Sequence, residues 1–333
     1  MTKIDKTQID KCKLAINKLF LKPFKYIQGD CIKKKCIDPK IYELIRKVAD
    51  HYNIKYSNDN DELVKKLTEY LECNYLTISC LLEKIRNSSD KLDIDTDLLN
   101  KQISQLKQPG PFDSKEWFSN INIDDTLEQF EDLFKDKHFL HIYFHMRDFK
   151  KSNSNPDEKK NLNKIKFSEY YKKGIRCFGV VFNTDVSTGG GEHWFAIFGD
   201  FSKNPFTIEH FNSSGDNPLP EISDLMSSIK HEMLKYCFDK KSISNNDNKT
   251  YDITGSSPYN GDDSDNINND DTMIKCINAT RIVNQKDNHS CGSYSLFYIL
   301  CRLCDISCTV FENNAIGDNL MHEFRRHLFA HNY

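Results

Sequence analysis

Through the first hundred positions apolar residues recur at intervals of three and four, and beyond about residue 135 the rhythm shortens to alternation and brief apolar runs. Residues 13–20 and 41–49 both carry the three-and-four spacing, which predicts helices, and Pro39 suits the first turn of the second. Asp59-Asn60-Asp61-Glu62 opens a further helix over 63–71, its acids complementing the positive end of the macrodipole. Another helical pattern covers 76–85. Gln108-Pro109-Gly110-Pro111 cannot continue a helix, so the chain divides there into an all-helical arm, 1–108, and a second domain, 109–333.

The second domain mixes periods. Residues 117–130 form an amphipathic helix with Asn122 or Asp124 as N-cap. Short aromatic and β-branched runs at 139–144, 177–182, 194–198 and 207–211 predict strands. An apolar helix over 294–304 opens at Cys291. This succession predicts an α+β domain. Residues 152–160 are a polar loop. Residues 239–271, dominated by Asn, Asp, Ser and Lys, hold too few apolar groups to offset the entropy of ordering and are expected to be a disordered insertion.

Composition narrows the chemistry. With 38% hydrophobic residues among 333, a packed core is within reach, and a net charge of −3 excludes a general polyanion binder. The imbalance is local: residues 1–50 hold 13 Lys and Arg against 6 Asp and Glu, which leaves nucleic acid as a secondary candidate partner for the arm. Residues 37–71 loosely resemble a SAP-type nucleic-acid-binding helix-loop-helix, with Leu44, Ala49, Ile54 and Leu63 at its apolar positions; solvated lysines on a helical arm are the plainer reading. No membrane span and no signal peptide are expected, and twelve scattered cysteines then indicate free thiols in a reducing compartment.

One arrangement points to nucleophilic catalysis. A thiolate needs an imidazole or a helix N-terminus to lower its pKa, and Cys291 stands where a helix begins. His193, 98 residues earlier, is the candidate base. Asn212 is the candidate acceptor for its other ring nitrogen, an arrangement that suits a thiolate–imidazolium ion pair at rest. The Gln285 amide and the Cys291 N–H are candidate oxyanion donors, each worth roughly 10²–10³ in rate. Gly292 leaves that backbone unobstructed.

The succession His193-Trp194, then Asn212, then Gln285-Lys286-Asp287-Asn288-His289-Ser290-Cys291-Gly292, resembles the adenain and ubiquitin-like-protein protease superfamily of cysteine peptidases, and most of all its members from large DNA viruses. The likeness covers roughly 112–310 and takes in Phe178-Gly179-Val180-Val181-Phe182-Asn183 and Glu209-His210-Phe211-Asn212-Ser213-Ser214-Gly215. It implies a papain-like core, a central mixed sheet flanked by helices with the nucleophile at a helix N-terminus, behind a helical arm. It implies the catalytic set His193, Asn212, Gln285 and Cys291, and cleavage after Gly-Gly in a narrow tunnel that Trp117 and Trp194 would wall, with Gly292 beside them. It further implies viral structural polyproteins as substrates, particle maturation as the role, and the host cytoplasm and virion as the location. A deconjugating protease for a ubiquitin-like protein would use the same residues. A catalytically silent binding module is the reading from outside enzymology.

Each residue has a plainer account. Cys291 is one of twelve cysteines, His193 could be a core histidine, and Asn212 could be a turn residue ahead of Ser213-Ser214-Gly215. Asp200 competes for the third catalytic place. His289 lies too close along the backbone to Cys291 to serve as its base. Cys301, Cys304 and Cys308 have zinc-ligand spacing toward His322, His327 or His331, yet they continue the apolar stripe of Phe297 and Leu300, so core packing is expected; Cys31 and Cys36 lack a partner pair. Neither a metal nor a cofactor is expected.

Overall fold

A computed structural model describes residues 37–72, 78–88, 94–106, 110–111, 115–151, 157–246 and 273–329. The helix expected at 13–20, Cys31, Cys36, His331 and most of the basic segment lie outside them. Four helices come first: α1 (Pro39–His51), α2 (Asn60–Tyr70), α3 (Ile78–Asn87) and α4 (Thr96–Leu106). Asp38 caps α1 by accepting from the Lys40 N–H at 2.9 Å, with Pro39 in the first turn as expected, and Asp59 caps α2. Ile41, Leu44, Ile45 and Val48 bury the inner stripe of α1 against Leu63, Leu67, Leu81, Leu82, Ile85, Leu99 and Ile103, a core of their own. The SAP-like positions Leu44, Ala49 and Leu63 are part of it, with Ile54 packed at its margin.

The remainder surrounds a six-stranded mixed sheet. Helix α5 (Asn120–Leu133) precedes β1 (Phe139–His141) and β2 (His145–Met146); α6 (Phe167–Lys172) leads into β3 (Cys177–Asn183), β4 (Trp194–Asp200) and β5 (Phe206–Phe211). Then come α7 (Pro220–Asn246), β6 (Ile274–Asn278), α8 (Cys291–Leu303), α9 (Thr309–Asn313) and α10 (Asp318–Leu328). The strand order is β1-β3-β4-β5-β6, antiparallel at β3–β4 and β4–β5, parallel at β1–β3 and β5–β6, with β2 also parallel to β3.

β3 and β4 are buried along their whole length because both faces are covered. Alternation then assigns the side chains. Phe178, Val180, Phe182, Phe195, Ile197 and Ile208 face α7, while Val181, Trp194, Ala196, Phe198 and Phe211 face α8, which in turn is packed by α5 and α10. Each such side chain contributes about 1.5–3 kcal/mol relative to exposure. Gly179 lets α8 approach the sheet: a Cβ there would stand 3.2 Å from Ile299 and 3.0 Å from the Phe139 ring.

Several boundaries differ from expectation. Helix α5 is capped by Ser119, not by Asn122 or Asp124; Asn122 is the third residue of a reciprocal capping box. The expected strand at 139–144 breaks in two because the Phe144 N–H leaves the ladder to donate to Asp124 Oδ1 at 2.7 Å. Part of the polar loop forms a helical turn, Glu158–Lys160, capped by Asp157. Helix α7 runs past the start of the expected insertion to Asn246, and residues 247–272 lie outside the described ones. Cys301, Cys304 and Cys308 are buried in the core, as their stripe indicated.

Candidate active site

Three segments meet at the N-terminal end of α8. The first is the β3–β4 hairpin, whose loop is fixed by its own side chains. Asn183 Oδ1 accepts from the N–H groups of Asp185 (2.9 Å) and Glu192 (3.0 Å), and Asp185 Oδ2 accepts from Gly191 N–H (3.0 Å). The Thr184 N–H closes the hairpin on the His193 carbonyl. His193 therefore enters β4 on a rigid base.

The second segment is the end of β5. Asn212 donates its N–H to Thr280 Oγ1 at 2.8 Å, and its Oδ1 lies 2.7 Å from His193 Nε2. The Ser214 N–H also contacts this Oδ1, at 3.0 Å, and a main-chain N–H can only donate, so the facing atom is the carbonyl oxygen. His193 Nε2 must then carry the proton. Nδ1 is left with the lone pair, the tautomer a general base requires.

The third segment is the loop 285–290 with the first turn of α8. The amide and carboxylate groups of this loop bind one another. Gln285 Oε1 accepts from Ser213 Oγ at 2.8 Å, and Gln285 Nε2 donates to the Asp287 carbonyl oxygen (2.9 Å) and Oδ1 (3.1 Å). Asp287 also accepts from the N–H groups of His289 (3.1 Å) and Ser290 (2.9 Å) and from Ser290 Oγ (2.5 Å). These bonds hold its carboxyl down at about 2, against the opposing effect of partial burial. Because the Ser290 hydroxyl is committed to Asp287, α8 has no side-chain cap. Its first amides stay open, and the N–H groups of Cys291, Gly292 and Trp194 reach the Cys291 sulfur and favour its thiolate.

Burial nonetheless prevails at the sulfur and raises its pKa, and burial likewise lowers that of His193 in spite of the Asn212 bond. The thiolate–imidazolium pair expected at rest is thus opposed on both sides. Both shifts favour the neutral thiol and the neutral imidazole in the free site over the charged pair.

The aromatic positions separate. Trp194 is buried, its Nε1–H donating to the Phe118 carbonyl at 3.0 Å, and its ring meets Phe144 edge-on at 6.0 Å. Phe144 in turn walls a cavity of about 470 Å³ with Ile121, Asp124 and Tyr143. Trp117 is half exposed. Gly292 does not leave open space: a Cβ there would stand 2.9 Å from Phe118 Cβ, so the glycine admits Phe118 rather than substrate. The buried Arg325 ties this wall to the loop, its guanidinium donating to the Glu116 and His289 carbonyls and lying 4.7 Å from the Phe118 ring.

Asp200 belongs to the other end of α8, 3.7 Å from Arg302, and is no third member of this site. Sequence reasoning gave no role in this site to Ser213, Ser214, Thr280, Asp287 or His322, the last lying 3.1 Å from Asp287 Oδ2 and donating to that carboxylate. A signal existed for one of them: Asp287-Asn288 begins a polar run just ahead of the helix, the composition of an Asx turn.

A buried thiol at an open helix N-terminus, reached by the main chain of the residue after an asparagine-bound histidine, is an arrangement suited to a cysteine protease. Residues 134–333 match the family model of the Ulp1 protease family, C-terminal catalytic domain, and the chain belongs to that family. Two similar relatives come from African swine fever virus. The SUMO-1 cysteine protease of one isolate is 29% identical over 294 residues, covering 84% of this chain and 94% of the relative, and the cysteine protease of another isolate is 29% identical over 300 residues with the same coverage. The crystal structure of a protease from that virus superposes with a TM-score of 0.53 at 25% identity, over 92% of this chain and 94% of the other. The central mixed sheet flanked by helices is the fold the sequence implied. Among the described residues no helix is long and apolar enough to cross a membrane.

Proposed function

We propose that this protease cuts after Gly-Gly in viral structural polyproteins during virion maturation, with Cys291 as nucleophile, His193 as base, Asn212 as its orienting partner and Gln285 as an oxyanion donor. The carrying observation is the 2.7 Å bond from His193 Nε2 to Asn212 Oδ1, which fixes the tautomer in which Nδ1 can take the thiol proton. As the sulfur attacks the scissile carbonyl, its proton passes to Nδ1, and the carbonyl oxygen gains charge. The main-chain N–H of Cys291 and the Gln285 amide would receive that charge, Gln285 giving up one contact to Asp287 as substrate arrives. The C–N bond then breaks, the amine leaves with the imidazolium proton, and a thioester remains. Water activated by His193 hydrolyses it and restores the thiol.

Cys177, Cys291 and Cys308 are free thiols, which supports a reducing location, the host cytoplasm and the particle assembled there. The name of one relative, a SUMO-1 cysteine protease, favours a second reading, release of a ubiquitin-like protein through the same residues.

The test incubates the native chain and Cys291→Ala with peptides containing Gly-Gly-Xaa or Ala-Ala-Xaa, and with a SUMO conjugate, each followed by mass spectrometry. Cutting of Gly-Gly-Xaa by the native chain alone is expected. Cutting of the conjugate with the peptides intact would move the assignment to deconjugation. Activity retained by Cys291→Ala would remove Cys291 from the mechanism.

A further inference from the structure

Asp287, His289 and His322 bring one ligand atom each within 4.8 Å of one another, the one such group among the described residues. Asp287 Oδ2 lies 3.1 Å from His322 Nε2 and 3.3 Å from His289 Nε2. A tetrahedral zinc ion with legs of about 2.0–2.1 Å holds its ligand atoms roughly 3.3 Å apart, which both carboxylate–imidazole separations already match. The two imidazole planes are within 10° of parallel, their centroids 5.7 Å apart.

His289 supplies an independent observation. Its Nε2 is buried and makes no hydrogen bond, although the carboxylate oxygen is 3.3 Å away. Nδ1 pairs with Asn288 Oδ1 at 3.2 Å, which puts the ring proton on Nδ1. A bare nitrogen lone pair therefore faces a carboxylate oxygen inside the protein. Two electron-rich atoms in that relation are what a cation between them resolves, and the Asn288 oxygen is the outer partner that metal-bound histidines commonly have.

We propose that Asp287, His289 and His322 form a binding site for a divalent transition metal of the zinc class, which clamps α10 to the loop preceding Cys291. Three protein ligands leave a fourth position for water. The ion takes Oδ2, displacing the Ser290 hydroxyl, while Oδ1 keeps its bonds to Gln285 and to the loop amides. Occupancy thus stiffens the residue that holds Gln285. That coupling rests on the role proposed for Gln285; metal binding itself does not.

Zinc titration calorimetry of the full-length Cys291→Ala chain, in which the reactive thiol cannot act as ligand, is compared with Cys291→Ala/His322→Gln. Glutamine can still donate to Asp287 but is a poor zinc ligand. The double variant is expected to bind one equivalent fewer, or to bind that equivalent roughly a hundredfold more weakly, with matching circular dichroism in the absence of metal. If the glutamine variant fails to fold, Cys291→Ala/His289→Gln is read in its place with the same expectation. Equal zinc binding by single and double variants, or none by the single variant, overturns the site. Neither result bears on cleavage after Gly-Gly.

Discussion

Helix α8 buries polar groups at both ends, and the two ends treat charge differently. At the C-terminal end the fully buried Glu209 accepts from Tyr298 Oη (2.7 Å), Arg302 Nε (2.7 Å) and Arg302 Nη2 (3.0 Å), while Arg302 Nη1 donates to the Ile306 carbonyl. Charge is present and fully paired there, and the guanidinium pKa is raised by the carboxylate even against burial. At the N-terminal end burial raises the Cys291 thiol and lowers the His193 imidazole, favouring the neutral form of each. Open helix amides wait for a charge that does not yet exist. A charge paired permanently holds the fold and is inert; a charge deferred is available for chemistry.

The largest effect separating the two ends is on turnover. Cys291→Ala should lower kcat/KM by roughly 10⁴–10⁶-fold while the urea midpoint barely moves, because little volume and no bond to another side chain is lost. Arg302→Met should do the reverse. It leaves Glu209 as an unpaired buried carboxylate, at a cost of about 3–5 kcal/mol, yet the folded fraction should retain near-native kcat/KM. A large loss of specific activity in folded Arg302→Met would show that the two ends are coupled along the helix, and the contrast would fall.

Next in size is an effect of acid. His210 on β5 is held down to about 4, chiefly by burial, and burial also lowers His145 and His193. The folded state therefore resists protonation that the unfolded chain accepts near 6.5. Stability is complete above that pH and is lost as pH falls from about 6.5 toward 4, by about 3 kcal/mol for His210 alone. Urea titrations at pH 7.5 and 4.5 measure the loss, and His210→Gln should reduce it by a comparable amount. The acid limb of kcat/KM should follow His193 instead and lie below 6.5. A bell-shaped profile whose alkaline limb belongs to the histidine and lies above 6.5, its acid limb set by the thiol, would mean that the resting site holds an ion pair after all.

How much of this was legible in the sequence depends on whether the signal was local. The helices α1 and α2 and the strands β3, β4 and β5 announce themselves through period and capping, and the order of His193, Asn212, Gln285 and Cys291 along the chain is what marks them as the candidate set. Strand β6 does not, since Lys275 and Cys276 are exposed on an edge strand and only Ile274 is fully buried. Helix α7 blended into the polar tract that follows it. The partnership of Asp287 with His322 crosses 35 positions, and Arg325 reaches 209 positions back to Glu116; neither leaves a periodic trace. Gly292 is instructive in another way. Its place after Cys291 suggested an unobstructed backbone, and only the fold shows that Phe118 packs against the position a Cβ would take.

That glycine sets the finest test of the contrast. In an exposed helix, alanine would replace glycine with a gain of about 1 kcal/mol. At position 292 the new Cβ meets Phe118 at 2.9–3.0 Å, and Phe118 is not free to yield. Its carbonyl holds the Trp194 indole, and the Arg325 guanidinium lies against its ring. Overpacking of this kind costs about 1–3 kcal/mol, so the clash should outweigh propensity and Gly292→Ala should be destabilising by about 1 kcal/mol or slightly more. The Trp194 N–H that supports the Cys291 sulfur should shift with Phe118, lowering kcat more than it raises KM. Phe118→Ala in the Gly292→Ala background should recover part of the stability lost to the clash, a coupling that a double-mutant cycle reads directly. If Gly292→Ala is instead more stable than the native chain with full activity, the N-terminal end of α8 is loosely packed. The rigidity assigned to it above would then have to come from the Asp287 loop alone.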